Sequence, residues 1–400
     1  MPPGPPRGGG LRRRRAPVGG NGAGWPGRRA GMTPRLLRDR LRAGFAGRLL
    51  LWAASIGYSA VILARHLLYL SRLLPTKHLP VRVVCIGNIT TGGTGKTTAV
   101  MLAAATLCRK GIKVAVLSRG YGRRKKSKEI QVLLDPKEIT WQETGDEPWM
   151  MHQTLKKLAV PIVISSDRFA AGQTAVAYYA PDLILLDDGF QHLRLHRDFD
   201  VVLISALDPF GGDKLLPAGN LREPPAALRR ADLAILTHTD QVTPAALQET
   251  RERILALNPG LRVFEAVHAP DFFLDLKTEE HRPLGHLKDK PASSFCALGD
   301  PRPFEAQLRG LGAKLAQSWR FQDHHPYTEE ELRSIDNVRN GASLVTTMKD
   351  FVRFPPGWRE LLTGEVLALT VKMELVKGAE EWESALTGMP AASEPSETPQ

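Results

Sequence analysis

From residue 81 onward, short apolar runs alternate with longer stretches in which apolar residues recur at helical spacing. The runs predict strands over 81–87, 112–118, 161–165, 182–187, 199–205, 232–237 and 261–267, and the stretches between them predict helices over 96–109, 146–158, 167–179 and 243–256. These strands are near-continuous apolar runs, so both of their faces must be covered. That pattern argues for an α/β fold: a mostly parallel sheet with helices on both faces. A second alternation follows, with strand 293–298, helix 302–311, strand 314–321, helix 328–339 and strands 343–347 and 366–371. It predicts a second, smaller α/β lobe, with a boundary near 270–290 where Lys, Asp, His and Pro accumulate.

Between the first strand and the first helix lies Thr90-Thr91-Gly92-Gly93-Thr94-Gly95-Lys96-Thr97-Thr98. A strand, a glycine-rich loop, Lys-Thr and a helix make the P-loop arrangement, although its first glycine is replaced here by Thr90. Glycines let backbone N–H groups close around phosphate oxygens, and the helix turns its positive end toward the same place. Lys96 would reach the β- and γ-phosphates, and the Thr97 hydroxyl would sit on Mg²⁺. The bland alternative is an ordinary glycine-rich turn ahead of a helix.

Before this core, Leu49 to Ala64 is sixteen residues without a charge, and apolar character resumes at Leu67-Leu68-Tyr69-Leu70. The stretch is short for a span, which needs ~20 residues, and no small-residue cleavage site follows it. A span would keep the Arg-rich side in the cytoplasm and put the P-loop outside, away from ATP. The expectation is therefore a membrane-associated helical segment over 32–76 that lies in the interface, with Arg48, Arg65, Arg72 and Lys77 at anionic head groups. A buried core helix is the alternative.

The net charge of +12 changes little, because residues 1–48 hold twelve Arg and one acid, Asp39. The basic balance reports that segment and gives no ground for a nucleic-acid surface on the rest. Residues 1–31 are Pro, Gly and Arg and are expected to be disordered, with Met32 as a second candidate start; the Pro/Ser/Glu-rich residues 381–400 are expected to form a disordered tail. Cys85, Cys108 and Cys296 lie far apart without metal-ligand spacing, which fits a reducing compartment.

Leu183-Ile184-Leu185-Leu186-Asp187-Asp188 is an apolar strand ending in two carboxylates, placed to hold Mg²⁺ beside a P-loop. Gly145-Asp146-Glu147-Pro148 opens a helix. Asp146 is there either an N-cap or a carboxylate that takes a proton from an attacking hydroxyl. Phe321-Gln322-Asp323-His324-His325-Pro326-Tyr327 offers an imidazole that could share that proton, and Asp323 could equally be a turn residue. Arg119, Arg168 and Arg222 are candidate stabilisers of transferred phosphate or plain surface arginines.

Taken together, these segments resemble the tetraacyldisaccharide 4′-kinase (lipid A 4′-kinase) family over roughly residues 40–375. The resemblance rests on the P-loop preceded by Gly87-Asn88-Ile89, on Ser118-Arg119-Gly120-Tyr121-Gly122-Arg123 and on Gly145-Asp146-Glu147-Pro148. It rests further on Asp187-Asp188-Gly189-Phe190-Gln191-His192, Leu216-Pro217-Ala218-Gly219-Asn220-Leu221-Arg222-Glu223-Pro224, Asp323-His324 and Thr347-Met348-Lys349-Asp350. Thr98 stands where the family often has Pro, and Met348 where it often has Glu.

The resemblance implies ATP- and Mg²⁺-dependent phosphorylation of the 4′-hydroxyl of an acylated glucosamine disaccharide 1-phosphate, at the cytoplasmic face of the bacterial inner membrane. It implies Asp146 as base with His324 as partner and Asp187 and Asp188 as the metal site. It leaves Lys96, Arg119 and Arg222 for phosphate. No nucleic acid and no obligate protein partner are indicated. The rival reading is a membrane-associated P-loop ATPase or GTPase switch acting on a protein partner. Against it, Thr91 replaces the extra Lys of partitioning ATPases, and Thr237-His238-Thr239-Asp240 lacks the Asn and Lys of a guanine-reading motif.

The expected organisation is 1–31 basic extension, 32–76 membrane-associated segment, 77–270 P-loop nucleotide-binding core, 271–380 second α/β lobe and 381–400 tail.

Overall fold

A computed structural model of the chain describes residues 34–120, 123, 129–134, 141–323 and 325–388. The basic extension, most of the basic loop 121–128, His324 and residues 389–400 lie outside the described residues. The first half of the chain runs α1 (Pro34–Ala43), α2 (Phe45–Leu70), β1 (Arg82–Asn88), α3 (Lys96–Arg109), β2 (Val114–Ser118), β3 (Gln131–Leu133), α4 (Trp141–Thr144), α5 (Asp146–Leu155), β4 (Ile162–Ile164), α6 (Arg168–Tyr179), β5 (Leu183–Asp187), β6 (Phe199–Ser205), β7 (Leu233–Thr237), α7 (Pro244–Leu257) and β8 (Arg262–Asp275). Then come β9 (His281–Arg282), β10 (Pro291–Cys296), α8 (Arg302–Gly310), β11 (Lys314–Arg320), α9 (Glu329–Val338), β12 (Ser343–Thr347), α10 (Met348–Phe351), α11 (Trp358–Leu361), β13 (Val366–Lys377) and α12 (Ala379–Thr387).

The strands join in the order β11-β10-β12-β13-β8-β7-β6-β1-β5-β2-β4-β3, with β9 paired to β8. Pairings are parallel except β13/β8, β3/β4 and β8/β9. Alternation along each strand sets the layers. On β1, Val84 and Ile86 enter one core with Ala99, Val100, Ala103 and Leu107 of α3. Val83 and Cys85 enter the opposite core with Ala171 and Ala175 of α6. On β13, Val366 and Ala368 pack on one side with Leu332 and Ile335 of α9, and Leu367 and Leu369 on the other with Phe304 and Leu308 of α8.

Two strands run longer than expected. β8 continues past 267 to Asp275, through the expected lobe boundary, and β13 continues past 371 to Lys377. Their long antiparallel pairing makes one continuous sheet under both sets of cores. The tail also begins later than expected. Residues 381–387 belong to α12, where Trp382, Ala385 and Leu386 are buried in the α3 core and the Trp382 indole N–H donates to the Thr106 hydroxyl at 3.3 Å.

α2 lies against the body along one stripe. Leu51 and Ser55 are buried. The Ser55 hydroxyl donates to the Leu215 carbonyl and accepts from the Ala218 N–H, both at 3.0 Å. The Tyr58 hydroxyl donates to the Arg222 carbonyl at 2.9 Å, Arg65 donates to the Gln191 carbonyl at 3.0 Å, and His66 meets Glu223 at 3.1 Å. The remaining faces are apolar and open to solvent, with Trp52 58%, Ile56 51% and Leu63 61% exposed.

Candidate active site

The site forms where β1 and β5, neighbours in the sheet, end side by side, with Ile86 opposite Asp187. Ligands of open α/β sheets bind at such carboxyl ends. The loop after β1 is held from three sides. Asn88 donates its side-chain amide to the Thr94 hydroxyl at 3.0 Å, the Thr237 hydroxyl donates to the Thr94 carbonyl at 3.1 Å, and the Thr91 N–H donates to the Asn220 carbonyl at 2.7 Å. Thr90 bridges to Leu221 across the same seam.

Gly95 caps α3 at φ 85°, ψ 21°, a left-handed conformation. A Cβ there would also lie 2.5 Å from Nε2 of His268, so only glycine fits. Gly92 and Gly93 are exposed, with open space where a Cβ would stand. α3 then begins with Lys96, followed by the buried Thr97 and Thr98; the Thr98 hydroxyl donates to the Gly95 carbonyl at 2.8 Å.

Asp187 ends β5, and Asp188 turns out of it at φ 50°, a backbone conformation Asp tolerates better than most residues. Its N–H donates to the Ile86 carbonyl at 2.9 Å, which ties the turn to β1. The Asp188 carboxylate receives Arg222 Nη1 on both oxygens at 2.8 Å and lies 3.8 Å from Lys96 Nζ. Burial opposes its ionisation, but Lys96 and Arg222 overcome that and hold its carboxyl below the usual range. Asp187 accepts the Ser118 hydroxyl at 2.8 Å on one oxygen; its other oxygen is buried without a hydrogen-bond partner. Burial, then the charges of Glu147 and Asp188, push its carboxyl up to about 7. Glu147 is raised too, by burial and then by Asp146, against the opposing pull of Lys96 and Lys349.

Asp146 is the first residue of α5, and the N-cap position that it could have filled belongs to Gly145. Its Oδ1 accepts the Glu147 N–H at 3.1 Å, and its Oδ2 takes a charge-assisted bond from Arg353.

Residues 47–389 match the family described as Tetraacyldisaccharide-1-P 4′-kinase. The chain belongs to that family. The tetraacyldisaccharide 4′-kinase of Elusimicrobium minutum is 44% identical over 347 residues, which cover 86% of this chain and 92% of that protein. That of Anaeromyxobacter dehalogenans is 37% identical over 337 residues, covering 83% and 88%. Among solved structures, LpxK from Aquifex aeolicus, crystallised in complex with ATP, matches with a TM-score of 0.68 and 33% identity over 85% of this chain and 98% of that one.

The 4′-kinase motif residues named from the sequence fall into two groups. Lys96, Thr97, Asp187, Asp188 and Arg222 converge on the end of β1 and β5, and Asp146 heads α5 next to Glu147, whose charge the cradle feels. Arg119 stands exposed just past β2, close enough to Arg168 to oppose its charge. Arg168 is buried and donates to the Ser165 carbonyl at 2.7 Å; burial lowers its guanidinium to about 10, against the attraction of Asp187. His324 lies outside the described residues; three positions further on, the Tyr327 hydroxyl donates to Asp350 at 3.1 Å.

Several members of the site carried no assignment. Ser118 and Gln191 stood inside motifs used for recognition, and their signal was the side-chain oxygen or amide beside the key acids. Gln191 donates to the Asn88 carbonyl at 2.8 Å and so joins the acidic turn to the loop. Glu147 was visible as the acid after Asp146. Arg353 had no signal at all.

Among the described residues no three or more His, Cys, Asp or Glu side chains form a metal cage. Mg²⁺ keeps waters and phosphate oxygens and takes only one or two carboxylates, and Asp187 and Asp188 stand in succession at the end of β5. The unpartnered Asp187 oxygen and the carboxylates that crowd it are what a cation would relieve.

Proposed function

We propose that this chain transfers the γ-phosphoryl group of ATP to the 4′-hydroxyl of a tetraacylated glucosamine disaccharide 1-phosphate, giving the bisphosphorylated lipid A precursor, lipid IVA. The observation that carries the reading is the junction of Lys96 and Arg222 on Asp188 at the P-loop, in a chain of this family. Both cations are held by one carboxylate, and an incoming triphosphate offers them stronger partners. Lys96 would turn to the β- and γ-phosphates and Arg222 to charge growing on the transferred group. Asp187 and Asp188, with the Thr97 hydroxyl, would hold Mg²⁺, which supplies neutralisation of the phosphate charge. Asp146 would draw the proton from the sugar hydroxyl, with His324 as its partner. Arg119 and the loop residues Thr90 to Thr98 complete the nucleotide grip.

The acceptor would arrive from the cytoplasmic face of the inner membrane. α2 is 26 residues long and apolar enough to cross a bilayer. Yet its contacts from Ser55 to His66 fasten ~16 Å of it side-on to the body, about half of a bilayer's hydrocarbon core. A helix fastened in this way fits the interface better than a span.

The test is incubation of purified protein with γ-labelled ATP, Mg²⁺ and acylated disaccharide 1-phosphate. Label on the lipid, lost in Asp146→Asn, is the expected result. Label released only as inorganic phosphate would defeat the reading.

A further inference from the structure

We propose that Arg353 is the positioning residue of the Asp146 base, reaching it from the second half of the chain. This rests on the kinase reading above.

Arg353 follows α10 and is almost fully buried, at 3% exposure. Its Nη2 bonds Asp146 Oδ2, and its Nη1 lies 3.9 Å from the Asp350 carboxylate. Asp350 is itself fully buried and held by three donors: the Ala297 N–H at 2.9 Å, the Tyr327 hydroxyl at 3.1 Å and the Thr347 hydroxyl at 2.6 Å. A chain of bonds thus runs from β10, the 321–327 segment and β12 through Asp350 and Arg353 to the first residue of α5. A planar, permanently charged guanidinium fixes both the rotamer and the ionised form of the carboxylate it grips.

The charged groups next to this contact are mixed. Glu147, beside Asp146 on α5, feels Lys96 from α3, Lys349 from α10 and Asp188 from the turn after β5, and Asp350 of α10 lies 3.9 Å from Arg353; Glu143 on α4 is exposed. Removing the guanidinium takes a positive charge from Asp146 while the Glu147 carboxylate beside it stays, so its proton would be harder to remove. The same link gives Tyr327 a fixed relation to the base, because Tyr327 and Arg353 share Asp350.

The experiment compares pH profiles of wild type, Arg353→Gln and Arg353→Lys, with labelled ATP and acylated disaccharide 1-phosphate. For Arg353→Gln, kcat is expected to fall about 10- to 100-fold and the acid limb of kcat/KM to rise by about one pH unit or more, with the KM for ATP nearly unchanged. Arg353→Lys is expected to restore the limb but only part of kcat, since an ammonium lacks the fork. A folded Arg353→Gln protein with the wild-type acid limb would overturn the proposal, as would an Arg353→Lys protein with full kcat should the Gln variant not fold.

A readout without turnover separates this proposal from the kinase reading. In a thermal-unfolding double-mutant cycle of Asp146→Asn with Arg353→Gln, Tm shifts should be non-additive at pH 7.5, and additive shifts would overturn the proposal. Wild-type protein that leaves the lipid unlabelled would count against the kinase reading alone.

Discussion

The phosphate cradle and α2 break the rules of a globular interior in opposite ways. In the cradle, charges are taken out of water: Asp187, Asp188, Glu147, Lys96 and Arg168 crowd the ends of two apolar strands, and one Asp187 oxygen has no hydrogen-bond partner. On α2, apolar groups are left in water, with Phe45, Leu49, Trp52, Ile56, Leu63 and Leu70 all exposed. Each arrangement costs stability in the isolated chain. In the proposed function each would be relieved by a different ligand, an anion with its cation in one case and a lipid surface in the other. Arg222 joins the two directly: it grips Asp188 with its side chain while its carbonyl accepts from Tyr58 on α2.

The comparison is broken most severely by removing the cradle's charge. Lys96→Ala should lower phosphoryl transfer to the lipid about 10²–10³-fold, and Asp146→Asn about 10²–10⁴-fold with ATP binding retained. Equal loss of binding and turnover in Asp146→Asn, measured by equilibrium nucleotide titration beside the kinase assay, would mean that this carboxylate only builds the site. On the other side, combining Trp52→Glu, Ile56→Glu and Leu63→Glu should cut partitioning onto anionic vesicles at least ~100-fold, since each side chain withdraws about 1.5–3 kcal/mol of apolar burial. Melting temperature should change little, because each of these three side chains is more than half exposed on the docked helix. Unchanged co-sedimentation of that triple variant would remove the membrane role from α2.

The sequence announced these two regions unequally. Parallel strands buried on both faces stand out as apolar runs, and most of their boundaries were legible to within two residues. The exceptions were β8 and β13, whose second halves leave the deep core. Antiparallel positions such as the half-buried His268 and the exposed Lys372 break the apolar signal just where the pairing continues. The cradle was legible because phosphate chemistry constrains neighbours in sequence: Lys96 with Thr97, Asp187 with Asp188. Arg353 was not, because its role is set by a contact across 207 positions, and nothing local distinguishes it from any other arginine. The exposed stripe of α2 was legible as apolar character. Which residues fasten it, Ser55, Tyr58, Arg65 and His66, depends on the 215–223 loop and on Gln191 and could be found only in three dimensions.

The cost of burying carboxylates can be read from the pH dependence of stability. An ordinary Asp titrates near 3.9 in an unfolded chain, whereas Asp187 in the fold titrates at about 7, because of burial first and then the charges of Glu147 and Asp188. Between those values the folded chain keeps a proton that the unfolded chain has lost. The Asp187 contribution to stability is therefore full below about pH 4, falls as pH rises and is gone above about pH 7. Asp187→Asn is uncharged at every pH and should make the nucleotide-free protein more stable at pH 8, by an amount on the order of 1 kcal/mol, with the gain shrinking to nothing near pH 4. Thermal unfolding across that range measures it. A gain that is constant with pH would show that Asp187 is ionised in the fold.

The smallest effect asks whether the two regions are one device. Tyr58→Phe removes one hydroxyl, the one donated to the Arg222 carbonyl, and keeps the ring. The loss of a single partly buried hydrogen bond costs about 0.5–1.5 kcal/mol. If α2 only tethers the protein, that cost appears in the melting temperature and nowhere else, and turnover on vesicle-presented lipid stays at wild type. If docking of α2 helps aim Arg222, freeing the carbonyl loosens the guanidinium on Asp188. Turnover should then fall several-fold, with vesicle binding unchanged, because Tyr58 is on the stripe that faces the body. The sign of the effect on binding separates this from a lipid contact: a Tyr58 that touched lipid would bind vesicles more tightly as Phe, having lost its polar end.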